Sequence, residues 1–102
     1  MSNATPLKVL VHLATRPGLG AEQIAAFTAL APTVRAEPGC LRYDLHTVAD
    51  DPDRFVLIEE WASAEALRLH DESAHMVAAD AANQAFRAGP AEVVLISPEP
   101  VA

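Results

Sequence analysis

The sequence predicts an α+β domain whose elements follow the ferredoxin-like order β-α-β-β-α-β, with an antiparallel sheet. Three observations support this class. Four segments have the apolar or alternating pattern of strands, two regions place apolar residues at helical spacing, and turns rich in proline or glycine separate several of them. With 102 residues the chain can form one hydrophobic core, so we expect residues 1–102 to be a single domain.

The first half of the pattern is a strand followed by a helix. Residues 7–14, LKVLVHLA, are rich in β-branched and other apolar side chains, which predicts a strand. The segment TRPGLG interrupts this pattern, and the alanine-rich residues 21–36 then predict a helix. Pro32 falls inside that helix and should kink it or end its first part. The segment EPG ends it.

Two strands joined by a turn come next. Residues 40–48 alternate between apolar and polar side chains, which predicts a half-buried strand. The side chains expected on its apolar face are Leu41, Tyr43 and Leu45. Residues 49–53, ADDPD, have the composition of a turn, and residues 54–61 predict the third strand.

The last part of the chain predicts a divided helix and a final strand. Ser63 is a suitable N-cap for a short helix over 64–70. Ser73 could cap a second piece over 74–87, and residues 92–97 predict the fourth strand.

Several strands carry apolar residues on both faces. In the third strand, for example, Val56 and Ile58 alternate with Phe55 and Leu57. Two helices can cover only one face of such a sheet, so the other face would expose a large apolar patch. We therefore expect a homodimer whose sheets face each other, the alternative being a monomer with an incompletely covered sheet.

Charge and composition exclude several classes of partner. The net charge is −7 and the pI is about 4.8, so we expect no binding to nucleic acid or to anionic membranes. No apolar run approaches the length of a membrane span, and the N-terminus lacks the pattern of a signal peptide. The single cysteine, Cys40, cannot form an internal disulfide. These features predict a cytoplasmic protein.

The segment EEWASAEALRLHDESAH contains the strongest candidates for chemistry. On one continuous helix, His70 and His75 would point about 140° apart, unlike the i, i+4 pair that binds zinc. We therefore predict no metal site. One of these histidines could transfer a proton near neutral pH, or both could be partly buried polar groups at helix ends.

Other candidates lie on the strands. Trp61 is either a core residue or a wall of a flat pocket, and the Tyr43 hydroxyl could donate a hydrogen bond to a substrate oxygen. Glu59 and Glu60 alternate, so one of them should face inward. An inward carboxylate needs a partner, and the candidates from neighbouring strands are Arg42 and Arg54.

Three stretches together resemble the antibiotic biosynthesis monooxygenase (ABM) family, and especially its quinol monooxygenase branch. These stretches are LATRPGLGAEQIAAF, APTVRAEPGCLRYDLH and RFVLIEEWASAEALRLHDESAHM. The markers are RPG after the first strand, EPGC-x-x-Y entering the second, and EEW-x-S with histidines nine and fourteen residues after the tryptophan. The resemblance implies a dimeric α+β barrel of ferredoxin-like subunits.

The resemblance also implies an activity. Such a protein is a cofactor-independent monooxygenase that needs no metal or flavin and acts on a quinol or polycyclic phenol with molecular oxygen. For this chain it implies that His70 or His75 transfers the proton, that Trp61 forms a wall of the pocket, and that Tyr43 supplies a hydrogen bond.

Two alternatives remain. One is an isomerase or other non-oxidative small-molecule enzyme that uses the same pocket, and the other is a non-catalytic binding or stress-associated dimer. The haem-degrading branch of the superfamily is disfavoured, because its Asn, Trp and His align with Val11, His70 and Asp80 here.

Overall fold

A computed structural model describes residues 5–102 and has the element order that the sequence predicts. The elements are β1 (Leu7–Ala14), α1 (Gly20–Arg35), β2 (Cys40–Val48), β3 (Asp51–Trp61), α2 (Ala64–Glu72), α3 (Ala74–Asn83) and β4 (Glu92–Ile96). This order confirms the α+β, ferredoxin-like class, with the second helical region divided into α2 and α3.

The four strands form one antiparallel sheet in the order β2-β3-β1-β4. Alternate residues of β1 and β3 point toward the helices and form most of the core. These buried strand residues are Val9, Val11, Leu13, Phe55, Leu57 and Trp61. From α1, Ala31 and Val34 pack against them, and from α2, Ala66 does so.

The turn between β2 and β3 is shorter than the sequence predicts. Val48 pairs directly with Asp51, so only two residues connect the strands, and Pro52 lies in β3 rather than in a turn. The reason is the backbone of Asp50, whose φ of 66° closes a tight connection. The prediction of a turn over 49–53 was therefore wrong in its extent.

Two further expectations change in the structure. Leu41 does not share the face of Tyr43: it is 60% exposed, because the pairing of β2 with β3 is irregular between Cys40 and Arg42. Pro32 does not end the first helix, since α1 continues through it to Arg35.

The break between α2 and α3 is built on Ser73. This residue has an extended backbone, and its side chain accepts a hydrogen bond from the amide of Met76 at the start of α3. Its hydroxyl also donates to the carbonyl of His70 at the end of α2. Ser63 accepts from the amide of Ala66, so both predicted caps are confirmed. α3 ends at Asn83, four residues before the predicted end.

The face of the sheet opposite the helices, called the open face below, has an apolar centre. Leu10 of β1 pairs with Ile58 of β3 on one side and with Val94 of β4 on the other. The neighbouring row is more polar, because Lys8 lies between Glu60 and Ile96. No described helix has the length and apolar character needed to cross a membrane.

Gly39 offers a test of how tightly the chain packs just before β2. Its φ is 83°, and an added Cβ would lie 2.6 Å from the Cβ of Ala66. Gly18 has a similar φ of 84°, but an added Cβ there would meet no atom within 4 Å. Left-handed backbone costs an alanine about 1–2 kcal/mol at either position, and overpacking adds about 1–3 kcal/mol at Gly39 alone.

We therefore predict that Gly39→Ala lowers the free energy of unfolding more than Gly18→Ala does, as measured by urea denaturation. Adding Ala66→Gly to Gly39→Ala should recover part of the difference. Equal losses for the two single variants would show that the contact with Ala66 is unimportant.

Candidate active site

A cavity of about 610 Å³ lies between the helices and the inner face of the sheet. One part of its lining is apolar or aromatic. These residues include Phe27, Leu30, Leu45, Leu57 and Met76. The polar groups Tyr43, Glu59 and His70 also line the cavity. A space of this size and character fits an aromatic molecule of one to a few rings.

His70 is held in the wall of this cavity by a carboxylate. It lies near the end of α2, is only 2% exposed, and its Nδ1 is 3.0 Å from Oε2 and 3.2 Å from Oε1 of Glu37. A carboxylate accepts hydrogen bonds, so Nδ1 carries the proton in this contact. The other ring nitrogen, Nε2, is then free to accept a proton.

The helix break brings His75 to the same carboxylate. His75 Nε2 lies 2.6 Å from Glu37 Oε2 and 3.2 Å from the Ser73 hydroxyl. The 140° separation expected on a continuous helix does not apply, because Ser73 ends α2 and redirects the chain into α3. Sequence reasoning missed Glu37, although it lies in the EPGC marker.

Glu37, His70 and His75 are also the residues that could hold a metal ion. Their three donor atoms lie within 4.8 Å of one another, and in the described part of the chain this is the one such set. Hydrogen bonds between the same atoms already satisfy all three groups. The expectation that no metal takes part stays a prediction.

Trp61 lies behind the cavity instead of lining it. The indole is fully buried, its ring centroid is 4.5 Å from that of His70, and Nε1 donates to Glu59 Oε1 at 2.8 Å. Trp61 therefore fixes both His70 and Glu59. His75 likewise lies outside the cavity lining and contacts the same Glu37 oxygen, Oε2, as His70 does.

Glu59 is the inward carboxylate of the pair, but its partner is not an arginine. Trp61 supplies the hydrogen bond, and Oε1 lies 4.0 Å from His70 Nε2. Arg42 instead contacts the outward Glu60, and Arg54 contacts Asp51. The expected arginine partner was therefore wrong. Burial raises the pKa of Glu59, although the bond from Trp61 and the charge of His70 act in the opposite direction.

Tyr43 presents a hydroxyl to the cavity that is free to bind a ligand. The residue is 3% exposed and stacks on Phe27 with ring centroids 5.2 Å apart. Its hydroxyl has no hydrogen-bond partner among residues 5–102. Burial, assisted by the nearby Glu59, raises the pKa of Tyr43 well above its usual value. The group therefore stays protonated and acts as a hydrogen-bond donor.

The cavity also has a polar part that sequence reasoning missed. Gln23 of α1 lies there together with Asn83, Gln84 and Arg87, which follow one another closely at the end of α3. Only the helical pattern of these segments was visible in the sequence, and that pattern does not show which side chains meet across the cavity.

The chain matches the family model described as antibiotic biosynthesis monooxygenase over residues 6–82. Among curated proteins it is similar to YgiN of Escherichia coli strain K12, named a probable quinol monooxygenase. The two are 33% identical over 84 residues, which cover 71% of this chain and 79% of YgiN.

Solved structures show the same fold. Rv0793 from Mycobacterium tuberculosis is 31% identical with a TM-score of 0.85, and the alignment covers 96% of this chain and 99% of that one. SnoaB from Streptomyces nogalater, described as a cofactor-independent oxygenase, has a TM-score of 0.83 over 96% of this chain and 97% of its own. At 20% identity, the likeness to SnoaB concerns the fold alone.

The raised pKa of Glu59 predicts a pH-dependent effect on stability. Because the folded chain holds the Glu59 proton more tightly than the unfolded chain, folding loses stability as the pH rises above the ordinary value of 4.5. Glu59→Gln removes this loss while its amide oxygen still accepts from Trp61. In urea denaturation between about pH 4 and 8, the wild type should lose stability relative to Glu59→Gln as the pH rises.

Glu60→Gln is the matched control, since Glu60 lies on the opposite face and contacts Arg42. Profiles of wild type and Glu59→Gln that run parallel over this range would contradict the assignment of Glu59 as the perturbed group.

Proposed function

This chain belongs to the antibiotic biosynthesis monooxygenase family, and we propose that it is a cofactor-independent monooxygenase acting on a quinol or polycyclic phenol. The observation that carries the proposal is a buried histidine in the wall of an apolar cavity. Glu37 binds Nδ1 of His70 and leaves Nε2 as a base. The name of YgiN supports the substrate class.

In this proposal His70 starts the reaction by taking a phenolic proton. As Nε2 becomes protonated, the imidazolium lies between two carboxylates, Glu37 at Nδ1 and Glu59 at 4.0 Å from Nε2. Both charges stabilise the imidazolium, as a positioned carboxylate does for other catalytic histidines. His75 and Trp61 contact these carboxylates and hold them in place.

The substrate anion then needs a hydrogen-bond donor and a dry environment. The Tyr43 hydroxyl is the free donor, and it stays protonated because the pKa of Tyr43 is raised. Aromatic and aliphatic side chains such as Phe27, Leu57 and Met76 exclude water from the ring. A desolvated phenolate transfers electrons to oxygen more readily than a hydrated one.

The overall reaction balances without an added reductant. One oxygen atom of O₂ enters the substrate as a new C–O bond, and the other leaves as water with two hydrogens of the substrate. The substrate supplies all four electrons, so a hydroquinone becomes a hydroxyquinone.

A second candidate is an isomerase or other non-oxidative enzyme that uses the same base. Its support is the polar part of the cavity, because Gln23, Asn83 and Arg87 suit a ligand with several oxygens. A purely binding role has less support, since side chains do not fill the cavity.

We further propose that two copies associate through the open face. Its apolar centre of Leu10, Ile58 and Val94 is flanked by charged residues, which is the pattern of an interface core with a polar rim. Leu10 is only partly buried and Val94 is 39% exposed in one copy.

We also propose a reducing, cytoplasmic setting, since Cys40 is the one cysteine of the chain and is free. Cell fractionation would test it, and recovery of the protein from an oxidising compartment would contradict it.

Oxygen uptake by metal-stripped protein with a panel of hydroquinones tests the proposed reaction. His70→Asn keeps an amide that can donate to Glu37 but removes the basic nitrogen, so we expect uptake to fall by about 100-fold or more. Tyr43→Phe loses one hydrogen bond, and we expect a fall of about 2- to 10-fold. His75→Ala acts only through Glu37 and should have a smaller effect than His70→Asn.

His46→Ala is the control, because His46 is an exposed histidine on β2 outside the cavity lining. No uptake above the autoxidation blank across the panel would reject the monooxygenase and favour the non-oxidative candidate. Uptake that needs added metal would reject the cofactor-independent reaction.

The proposed association predicts that Ile58→Asp yields a monomer, because it places an unpaired charge at the centre of the open face. Sedimentation velocity should show a dimer for the wild type and a monomer for this variant. Val77→Asp introduces the same charge on α3, where Val77 is 60% exposed, and should leave the dimer intact. A wild-type monomer, or a dimer that tolerates Ile58→Asp, would contradict this arrangement.

A further inference from the structure

Arg87 differs from the other arginines in its partners. Arg35, Arg42, Arg54 and Arg68 each lie within 4.0 Å of a carboxylate. Arg16 donates to the carbonyls of Ala85 and Arg87. Arg87 has no carboxylate at ion-pair distance within residues 5–102, although it is partly buried and lines the cavity.

In the described chain, the one hydrogen-bond partner of the Arg87 side chain is a neutral amide. Its Nε donates to Oε1 of Gln23 at 2.7 Å, and Gln23 is itself only 3% exposed. This bond holds one edge of the guanidinium against α1. The terminal nitrogens Nη1 and Nη2 have no hydrogen-bond acceptor in the described chain. Two parallel N–H groups that lack an acceptor match the two oxygens of a carboxylate.

Partial burial without a carboxylate partner costs the Arg87 guanidinium part of its hydration, although its terminal nitrogens are not fully buried. Burial lowers the pKa of Arg87, and the more distant Asp80 only partly offsets this effect. A bound anion would remove the cost. This positive charge, fixed beside an open cavity by a buried amide, is therefore available to an anionic ligand.

The remaining charges of the cavity restrict where an anion can lie. Arg87 is the one lysine or arginine in the lining, whereas Glu59, Asp71 and Asp80 supply acidic groups. A ligand carboxylate is thus attracted to Arg87 and repelled by the acidic groups where they are ionised. This arrangement would orient an aromatic ring in the cavity.

We propose that Arg87 binds a carboxylate on the ligand, so that the cavity selects aromatic acids that carry hydroxyl groups over neutral quinols. The inference deepens the proposed function. It rests on that function only in expecting hydroxyl groups on the aromatic ring of the ligand. The carboxylate site is expected to act in binding, whether or not the ligand is oxidised.

Binding under nitrogen tests the carboxylate site without turnover. The probe is 2,5-dihydroxybenzoate, a hydroquinone with a carboxylate, and its methyl ester is the neutral match. Isothermal titration calorimetry gives both affinities, and the fluorescence of Trp61, the one tryptophan, gives a second readout. We expect the wild type to bind the acid at least about tenfold more tightly than the ester.

Arg87→Gln should abolish this preference and leave the affinity for the ester nearly unchanged. Arg87→Lys keeps a charge without the paired N–H groups and should give an intermediate preference; it also serves if Arg87→Gln fails to fold. Arg54→Gln removes an exposed arginine outside the cavity and should preserve the full preference.

The proposal is overturned if the wild type binds neither compound, binds both equally, or keeps its preference in the Arg87 variants. These outcomes are separate from the monooxygenase test. A preference that needs Arg87 in a protein without oxygen uptake would support the carboxylate site and reject the oxidation. Oxygen uptake with neutral quinols, together with equal binding of the acid and the ester, would support the oxidation and reject the carboxylate site.

Discussion

One carboxylate, Glu37, organises the candidate site. It lies two residues after the end of α1 and accepts hydrogen bonds from His70 at the end of α2 and from His75 at the start of α3. A buried imidazole needs such a partner, and here the same contact also decides which ring nitrogen can act as a base. The break at Ser73 is what allows two histidines, five residues apart, to reach one acceptor.

The sheet and the helices contribute different chemistry to the same cavity. The strands supply Tyr43, whose strongly raised pKa keeps its hydroxyl protonated, and Glu59, whose pKa burial also raises. The helical side supplies His70 and, beyond the end of α3, Arg87. The neutral Tyr43 hydroxyl suits hydrogen bonding to a ligand oxygen, while Arg87 suits a full negative charge. A ligand between the sheet and the helices would meet a base at His70 and an anion site at Arg87.

The sequence predicts the fold well because its signals are local. These signals are the alternation of strand residues, the spacing of helical residues and the caps Ser63 and Ser73. Each depends on residues that are close together in the sequence. The predictions that were wrong or incomplete depend instead on contacts between residues far apart in the sequence. The exposure of Leu41 follows from irregular pairing with a neighbouring strand. Glu37 and His70 are 33 residues apart, and Gln23 and Arg87 are 64 apart, so only packing reveals that they meet.

Successive residues of β3 alternate between two proposed roles, one in the cavity and one in association through the open face. Leu57 and Glu59 point into the cavity, whereas Ile58 and Glu60 lie on the open face. A shift of one residue in the pairing would exchange these sets, placing a carboxylate in the apolar centre and removing it from His70. The same register that builds the site therefore builds the surface for association. The tight turn at Asp50 fixes this register. It therefore affects both the cavity and the open face, although it lies in neither.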